Sequence, residues 1–371
     1  MIVEIMGNFF SNHSLAIINR NIAIELDKYV DVFIHPLDKY DQSYKLSINV
    51  VNKLNELQNK PKLIPDLQIR HSYPPLWRWP ESKKTKVVFI QPIENTRILF
   101  EWQYKFETFA DHVITISDWC ANIFIEAGLN PEKISVMYPG FNPELFNTNN
   151  RFDSETFRFI YIGGIVYRKG IDLLLNAWKK TFTKQDNVHL MIKDTPQVYG
   201  KSNLPEIINQ MNNSGYAQAN ILSDIKSEDE MAQLYKNSDV IVHPYRAEGF
   251  GMHIQEAMSC GCIPLVSEGG PTDEFVKDYK INTKKVSVSN DLQKSGLINP
   301  GDSLAMMGSY EQILEPDIND LSNKMRYLFE NRSKILIDKS NLSTWQVSGE
   351  RLYKILTMIQ SKNSTKLTNR E

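Results

Sequence analysis

Two glutamates stand in the segment Pro244 to Leu265, PYRAEGFGMHIQEAMSCGCIPL, with seven residues between them. Glu248 lies in a glycine-bearing loop, whereas Glu256 lies in a mostly apolar run with helical spacing. Gly249 and Gly251 permit close approach of the backbone to a ligand, and the unpaired N–H groups at a helix start favour an anion. A carboxylate beside an anion site is repelled unless it accepts hydrogen bonds from hydroxyls. The segment therefore predicts a ligand that carries both phosphate and sugar hydroxyls.

A plainer interpretation treats Glu248 as a solvated loop residue and Glu256 as an exposed helical one, because charged side chains mostly lie outside. Against it, Ile254, Ala257 and Met258 surround Glu256 on a helix between two apolar strands. We therefore favour a ligand site.

A second anion signal lies in YIGGIVYRKGIDLLLNAW, where an apolar strand ends at Gly163 and Gly164. Arg168 and Lys169 follow in a loop expected to reach solvent, just before a predicted helix. Arginine supplies a planar donor fork and lysine a point charge, a pair suited to a pyrophosphate. The spacing is not that of a Walker loop. An Arg-Lys pair alone is usually solvated at the surface, but the two loops are expected at the same sheet edge, which favours an anion site.

The elements that must position these residues are short apolar strands alternating with helices. The first part of the chain contains IVEIM, VDVFIHP, LQIRH, KVVFIQP and HVITIS, and the second contains FRFIYIGG, VHLMIKD, DVIVHPY and CIPLVS. Strands that are apolar on both faces and alternate with helices predict two α/β, doubly wound, Rossmann-like domains. We place their boundary at about Asn150, where Pro, Asn and charged residues replace the apolar pattern.

The predicted domains are 1–150 and 151–340, and the second contains both anion-binding loops. Residues 341–360 predict an amphipathic helix with Trp345, Leu352 and Ile355 on one face, returning to the first domain. A polar tail, 361–371, follows. Ligands of open α/β sheets bind at the carboxyl ends of the strands, so we expect a cleft there, between the domains.

Composition restricts the remaining function classes. The chain has 371 residues, 44 acidic and 42 basic, with a formal charge of -2, so no global field attracts nucleic acid and any anion site must be local. Neither a secretory signal nor a membrane span is predicted. Cys120, Cys260 and Cys262 are too few for a disulfide framework and favour a reducing cytoplasm. We interpret Cys260 and Cys262 as small buried apolar residues and predict no metal site.

The sequence resembles the retaining glycosyltransferases of GT-B fold with an E-x7-E signature (glycosyltransferase family 4, glycosyl transferases group 1). Glu248 and Glu256 match its glutamates, Gly249-Phe250-Gly251 its G-x-G, and Arg168-Lys169-Gly170 its R-K-G phosphate clamp. Residues 14–26 and 110–146 are similar to its first helix and to the stretch that enters its hinge. The resemblance covers nearly the whole chain.

The resemblance implies a nucleotide diphosphate sugar as donor and no cofactor or metal. Glu248 would contact the donor sugar hydroxyls together with the amides of Phe250 and Gly251, and Glu256 would hold the ribose hydroxyls. Arg168 and Lys169 would neutralise the leaving diphosphate. Gly163, Gly164 and Gly249 complete the implied donor-binding set.

The chain departs from the family at two places. Gly163-Gly164 replaces a frequent Gly-Arg, so Arg168 would carry more of the charge. Near the end of KVVFIQPIE, where the family often has a histidine, stand Gln91 and Glu94, and His71 at another strand end is the nearest alternative. The acceptor-side candidates are Gly7, Asn8, His71, Gln91 and Glu94.

We expect transfer of a hexosyl unit from the nucleotide sugar to the hydroxyl of a glycan, a lipid-linked or a small-molecule acceptor. The alternatives are a non-catalytic sugar-nucleotide-binding subunit and a GT-B sugar-nucleotide epimerase. Segments 7–14 and 72–86 would face the acceptor. In the second, Trp77, Arg78 and Trp79 suit either a glycan or the inner face of the membrane, or form a loop packed on its own tryptophans.

Overall fold

Two compact units make up the protein in a computed structural model that describes residues 1–94, 96–98, 100–287, 312–332 and 335–362. Unit 1 contains Met1–Ile93, Ile98–Phe141 and the chain from Ser343 onward. Unit 2 contains Glu94–Arg97 and Asn142–Leu342. The chain thus passes from unit 1 to unit 2 after Phe141, whereas the change in composition had suggested about Asn150. The predicted tail lies outside the described residues from 363 onward.

Unit 1 is built on a six-stranded parallel sheet in the order β2-β1-β3-β4-β5-β6. Its strands are β1 (Ile2–Gly7), β2 (Asp31–Pro36), β3 (Leu67–His71), β4 (Lys86–Ile90), β5 (His112–Thr115) and β6 (Ile134–Val136). In the central strands β1 and β3, Val3, Ile5, Leu67 and Ile69 are fully buried on one face, while the buried polar residues Gln68 and Arg70 of β3 point to the other face. Strands buried on both faces are expected in a parallel sheet that helices cover on both sides.

The helices of unit 1 are α1 (Ser14–Leu26), α2 (Ile48–Asn59), α3 (Phe100–Phe109), α4 (Asp118–Glu126) and, at the end of the described chain, α11 (Trp345–Ser361). Several begin at residues whose side chains accept a backbone N–H of the first turn, among them Ser47, Ser117 and Thr344. Such caps satisfy donors that have no partner inside the helix.

Unit 2 repeats the design with a six-stranded parallel sheet in the order β12-β11-β10-β7-β8-β9. Its strands are β7 (Phe157–Ile162), β8 (Val188–Lys193), β9 (Ala219–Leu222), β10 (Val240–His243), β11 (Ile263–Ser267) and β12 (Lys280–Ile281). An antiparallel pair, β13 (Thr283–Ser287) and β14 (Gln312–Pro316), follows.

The helices of unit 2 are α5 (Ile171–Thr181), α6 (Pro196–Tyr199), α7 (Leu204–Asn213), α8 (Glu228–Lys236), α9 (Met252–Ser259) and α10 (Ile318–Glu330). Trp178 of α5 is fully buried against Phe159 and Phe182, and its Nε1 donates to the carbonyl of Ala217 at 3.0 Å. The two predicted α/β doubly wound domains are confirmed by these two sheets. None of the helices in the described part of the chain has the length and apolar character of a membrane span.

The loop with tryptophans, 72–86, packs on its own unit. The Trp77 ring lies 4.8 Å from the Phe106 ring of α3 and 5.1 Å from the Phe89 ring of β4, measured between centroids. The Trp79 ring lies 4.8 Å from the Phe109 ring, although its side chain remains 47% exposed. This packing fits the interpretation of a self-packed loop.

Helix α11 packs against α1 inside unit 1. Its buried apolar side chains are Trp345, Leu352, Leu356 and Ile359. Ile355, expected on this face, is only half-buried and sits at its margin. The helix therefore completes the core of unit 1 although it is the last described helix of the chain.

We expect Leu352→Ala to lower the free energy of unfolding of unit 1 by about 2–5 kcal/mol, because Leu352 is fully buried and the substitution leaves a cavity. Val347→Ala on the same helix, where the side chain is 52% exposed, should change it by less than about 0.5 kcal/mol. Urea titration followed by far-UV circular dichroism measures both. Equal losses would mean that the face we identify does not carry the packing.

Candidate functional site

The loop between β10 and α9 is buried along its whole length, 244–251. The side chain of Phe250 in this loop is buried and packs on the ring of Phe275, with centroids 5.1 Å apart. Gly251, the N-cap of α9, has a φ of 95°. A buried loop at the carboxyl end of a parallel strand is the ordinary position of a ligand site in such folds.

Glu248 is 7% exposed, so the interpretation as a solvated loop residue is wrong. Its Oε1 accepts the N–H of Gly249 at 3.0 Å, and its Oε2 forms an ion pair with Nζ of Lys169. Burial opposes ionisation, but the charge of Lys169 holds the pKa of the Glu248 carboxyl well below its ordinary value. Glu248 is therefore a buried carboxylate, and its charge is balanced from the neighbouring loop.

Glu256 is half-buried on α9, and its Oε2 accepts the hydroxyl of Tyr235 at 3.1 Å. Tyr235 lies on α8 and is fully buried. The sequence analysis missed this tyrosine, although its position on the apolar face of α8 could have indicated it. The two glutamates thus have different environments, since one is paired with a cation and the other with a neutral hydroxyl.

The loop after β7 meets the loop after β10 at the same edge of the sheet. The strands themselves pair in parallel, and the carbonyl of Arg168 accepts the main-chain N–H of Arg246 at 2.7 Å. Gly170 has a φ of 70°, and a Cβ there would lie 1.8 Å from the carbonyl oxygen of Pro244. Only glycine allows this contact between the two loops.

Arg168 and Lys169 are only 6% and 8% exposed, so the expectation of side chains in a solvent-reaching loop is wrong. Nη2 of Arg168 donates to the Tyr199 hydroxyl at 2.9 Å and lies 3.0 Å from Oε2 of Glu94. These carboxylate and hydroxyl partners explain the burial, because an ion can leave water when it is paired and hydrogen-bonded. The sequence could not identify the partners, which lie far away along the chain.

Gly163 and Gly164 lie where β7 ends. The N–H of Gly163 donates to the carbonyl of Lys193 at 3.1 Å, and the Tyr161 hydroxyl donates to the carbonyl of Gly164 at 3.3 Å. Both predicted donor-side glycines therefore adjoin the loop that carries Arg168 and Lys169.

Arg246 was missed by the sequence analysis. It is 3% exposed, and its guanidinium contacts Asp172 of α5 at 2.7 and 2.8 Å and Glu315 of β14 at 2.7 and 3.0 Å. Burial would lower the pKa of Arg246, but the two carboxylates raise it above the ordinary value. Arg246 thereby ties its loop to a helix and a strand of the same unit. The sequence indicated this role only by the presence of an arginine, Arg246, in the loop that carries Glu248.

Two histidines, His243 at the end of β10 and His253 on α9, were also missed. Their ring centroids lie 4.5 Å apart, and one side-chain atom from each lies within 4.8 Å of the Glu248 carboxylate. Burial lowers the pKa of His243 to about 4 and that of His253 well below its ordinary value, so both rings are neutral at pH 7. Two imidazoles and a carboxylate could hold a metal, but Lys169 already pairs with this carboxylate.

In unit 1 the structure brings together Gly7, Asn8 and His71. A Cβ on Gly7 would lie 2.2 Å from the carbonyl oxygen of His71, so glycine permits β1 and β3 to meet. Asn19 Nδ2 donates to the carbonyls of Asn8 and His71, at 2.9 and 3.0 Å. The Asn19 Oδ1 lies 2.7 Å from Nδ1 of His71. Because an amide oxygen only accepts, Nδ1 of His71 must donate this hydrogen bond.

This network determines the state of the His71 ring. Burial lowers the pKa of His71 to about 3, so the ring is neutral and its single proton is on Nδ1. Nε2 is left as a buried lone pair without a partner among the described residues. His71 is therefore ready to accept one hydrogen bond but is too weakly basic to take a proton near neutral pH.

Gln91 and Glu94 are only three positions apart and were expected in one neighbourhood, but they belong to different units. Gln91 is buried in unit 1, and its Nε2 donates to the carbonyl of Pro92 at 3.0 Å. Glu94 groups with unit 2, because it pairs with Arg168 while Thr96 donates to the carbonyl of Gln312 at 2.9 Å. Glu94 thus pairs with Arg168 in unit 2, whereas Gln91 belongs to unit 1.

Cys260 and Cys262 are fully buried, as predicted for small apolar residues. Burial raises the pKa of each thiol to about 12, so neither is a thiolate near neutral pH.

Part of the chain matches a family model and several curated proteins. Residues 144–295, which contain both loops, match the family model described as glycosyl transferases group 1. The chain is 26% identical over 202 residues to an uncharacterized glycosyltransferase of Methanocaldococcus jannaschii, covering 51% of the chain and 50% of that protein. It is 27% identical over 179 residues to a lipopolysaccharide 1,2-N-acetylglucosaminetransferase of Salmonella typhimurium, covering 45% and 47%. The chain thus spans about half the length of the curated relatives it matches.

The fold is similar to that of HepE from Anabaena, crystallised with UDP and glucose, with a TM-score of 0.59 and 16% identity. The alignment covers 96% of this chain and 99% of HepE. The predicted GT-B fold is confirmed by this similarity and by the two parallel six-stranded sheets. Residues 144–295 are thus similar to the group 1 glycosyl transferases, and the chain as a whole has the GT-B fold.

Proposed function

We propose that the protein is a retaining glycosyltransferase that moves a hexosyl unit from a nucleotide diphosphate sugar to an acceptor hydroxyl. The observation that carries this proposal is the cluster of Arg168, Lys169 and Glu248, buried at the edge where two strand-end loops meet. Buried cations beside a carboxylate suit a ligand that combines phosphate with hydroxyls. The relatives named as glycosyltransferases support the same reaction class.

Donor binding would exchange ion pairs that the protein makes with itself. Without a ligand, Lys169 pairs with Glu248 and Arg168 with Glu94. A diphosphate offers both cations stronger acceptors, and Glu248, once released, can accept hydrogen bonds from the sugar. Glu256, already an acceptor for the Tyr235 hydroxyl, would hold the ribose hydroxyls in the same way.

Transfer would then occur on one face of the sugar. The bond from the anomeric carbon to the phosphate oxygen breaks, and the acceptor oxygen bonds to that carbon from the same side. The acceptor proton passes to the departing phosphate, whose negative charge Arg168 and Lys169 stabilise. This route needs neither a protein nucleophile nor a metal, in contrast to retaining hydrolysis with two carboxylates about 5–5.5 Å apart.

On the acceptor side we propose Gly7, Asn8 and His71, at the ends of β1 and β3. Nε2 of His71 is a neutral acceptor, so it would orient a hydroxyl of a glycan, lipid-linked or small-molecule acceptor rather than deprotonate it. Glu94 is not part of this set, because it pairs with Arg168.

Thermal shift against UDP-glucose, UDP-galactose, UDP-N-acetylglucosamine and GDP-mannose tests the donor class. We expect at least one to raise the melting temperature, since a ligand present at 100 times its Kd stabilises the native state by about 2.7 kcal/mol. Incubation of that donor with candidate acceptors, followed by NMR of the anomeric proton, then tests transfer and retention. Binding without transfer would favour a non-catalytic subunit, conversion of the donor an epimerase, and no shift with any of the four would contradict the proposal.

A further inference from the structure

The cluster of His243, Glu248 and His253 contains more hydrogen-bonding capacity than the protein uses. Both ring nitrogens of His243 and Nε2 of His253 are buried and have no hydrogen-bond partner among the described residues. Nε2 of His243 lies 3.6 Å from Oε2 of Glu248, beyond hydrogen-bonding distance. A buried polar atom without a partner is costly, so several in one place indicate a missing ligand.

The chemistry of these atoms indicates which ligand fits. Burial keeps both rings neutral, and a neutral imidazole has one N–H donor and one acceptor nitrogen. A sugar hydroxyl also donates one hydrogen bond and accepts others, so it matches such a ring. The Glu248 carboxylate, once Lys169 moves to the diphosphate, adds two acceptor oxygens.

A metal ion fits the same cluster less well. The ammonium of Lys169 contacts the carboxylate that would serve as a ligand, and the buried guanidinium of Arg168 adjoins it in sequence. Both positive charges repel a divalent cation in a site with little water to screen them. The same charges attract the diphosphate of a nucleotide sugar and would place its sugar beside the histidines.

We propose that His243 and His253, together with Glu248, recognise hydroxyl groups of the donor sugar, and that His253 determines which hydroxyl pattern is accepted. This inference rests on the proposed function and assigns a specificity role within it. His243 is fully buried between the rings of Tyr161 and Tyr245, 5.3 and 5.8 Å away, and is held in place. His253 is only half-buried, at the first turn of α9, with its ring centroid 4.5 Å from that of His243.

The test compares the donor selected by thermal shift with its monodeoxy analogues, using calorimetric titration. A site that hydrogen-bonds a hydroxyl discriminates against the analogue that lacks it. We expect the unmodified protein to bind the parent donor at least about tenfold more tightly than one particular deoxy analogue. His253→Phe, which keeps a planar ring without nitrogen, should reduce that ratio to about twofold or less and leave the affinity for nucleoside diphosphate unchanged.

Two further variants separate recognition from folding. His253→Asn restores a donor and an acceptor and should recover part of the discrimination. His189→Phe changes a half-buried histidine of β8 in the same unit, outside the cluster, and should leave the ratio unchanged. Circular dichroism verifies that each variant is folded.

The results of these titrations distinguish failure of the proposed function from failure of this inference alone. If the unmodified protein binds no nucleotide sugar, the proposed function and this inference fail together. If it binds but His253→Phe keeps the full ratio, or weakens every ligand alike including nucleoside diphosphate, only this inference fails. A visible absorption band of added Co²⁺ that His253→Phe removes would identify a metal site instead and overturn the sugar assignment.

Discussion

Replacing Arg168 and Lys169 by alanine should lower transferase turnover by about 10³-fold or more. Removing one donor from a preorganised anion site typically costs 10²–10³-fold, about 2.7–4 kcal/mol in activation free energy. The two cations lie in one buried loop at a sheet edge, so they would act on the same leaving diphosphate. Initial rates at saturating donor measure the loss.

The burial of Lys169 changes how this experiment must be controlled. Lys169→Ala leaves the Glu248 carboxylate buried without its cation, which costs about 3–5 kcal/mol of stability. Rates must therefore be divided by the folded fraction, and Lys169→Ala combined with Glu248→Gln should recover the melting temperature without recovering turnover. Lys180→Ala, at the exposed end of α5, is the surface control. If the folded fraction of the variant with both Arg168→Ala and Lys169→Ala turned over within tenfold of the parent rate, the diphosphate site could not lie in this loop.

Glu248→Gln and Glu256→Gln should differ in their effect on the affinity for nucleoside diphosphate. Glu256→Gln should weaken nucleoside diphosphate and nucleotide sugar alike, by about 1–3 kcal/mol, because ribose hydroxyls lose a charged acceptor. Glu248→Gln should leave nucleoside diphosphate binding unchanged or tighter, since Lys169 no longer has to leave a carboxylate. The same change should lower turnover and sugar discrimination, because only the intact donor reaches position 248.

Calorimetric titration of nucleoside diphosphate into both variants separates the two roles. Asp194→Asn is a useful third variant, because this buried carboxyl lies at the end of β8 in the same unit and is assigned no role in donor binding. Equal losses of nucleoside diphosphate affinity in the two glutamate variants would contradict the division of roles.

Much of the fold could be predicted because the residues of its central strands form a recognisable apolar pattern. β4, β7 and β10 are short and carry buried apolar side chains on both faces, a pattern that a covered parallel sheet explains. The antiparallel pair β13 and β14 was missed, and so were three strands of the parallel sheets. These three, β6, β9 and β12, have from two to four residues each and partly exposed side chains. Edge strands of this kind form because a neighbour offers hydrogen bonds, so their own residues show little periodicity.

For the site, the sequence by itself placed Glu248, Arg168 and Lys169 in loops at strand ends and Glu256 on the helix that follows, because glycines and helix starts are local features. Only the tertiary structure decided that Arg168 and Lys169 are buried, which depends on the distant partners Glu94 and Glu248. It likewise brought His243 and His253 to one carboxylate and tied Arg246 to Asp172 and Glu315. The physical reason is that burial and pairing of charges depend on residues far apart in the chain, and no local pattern records them.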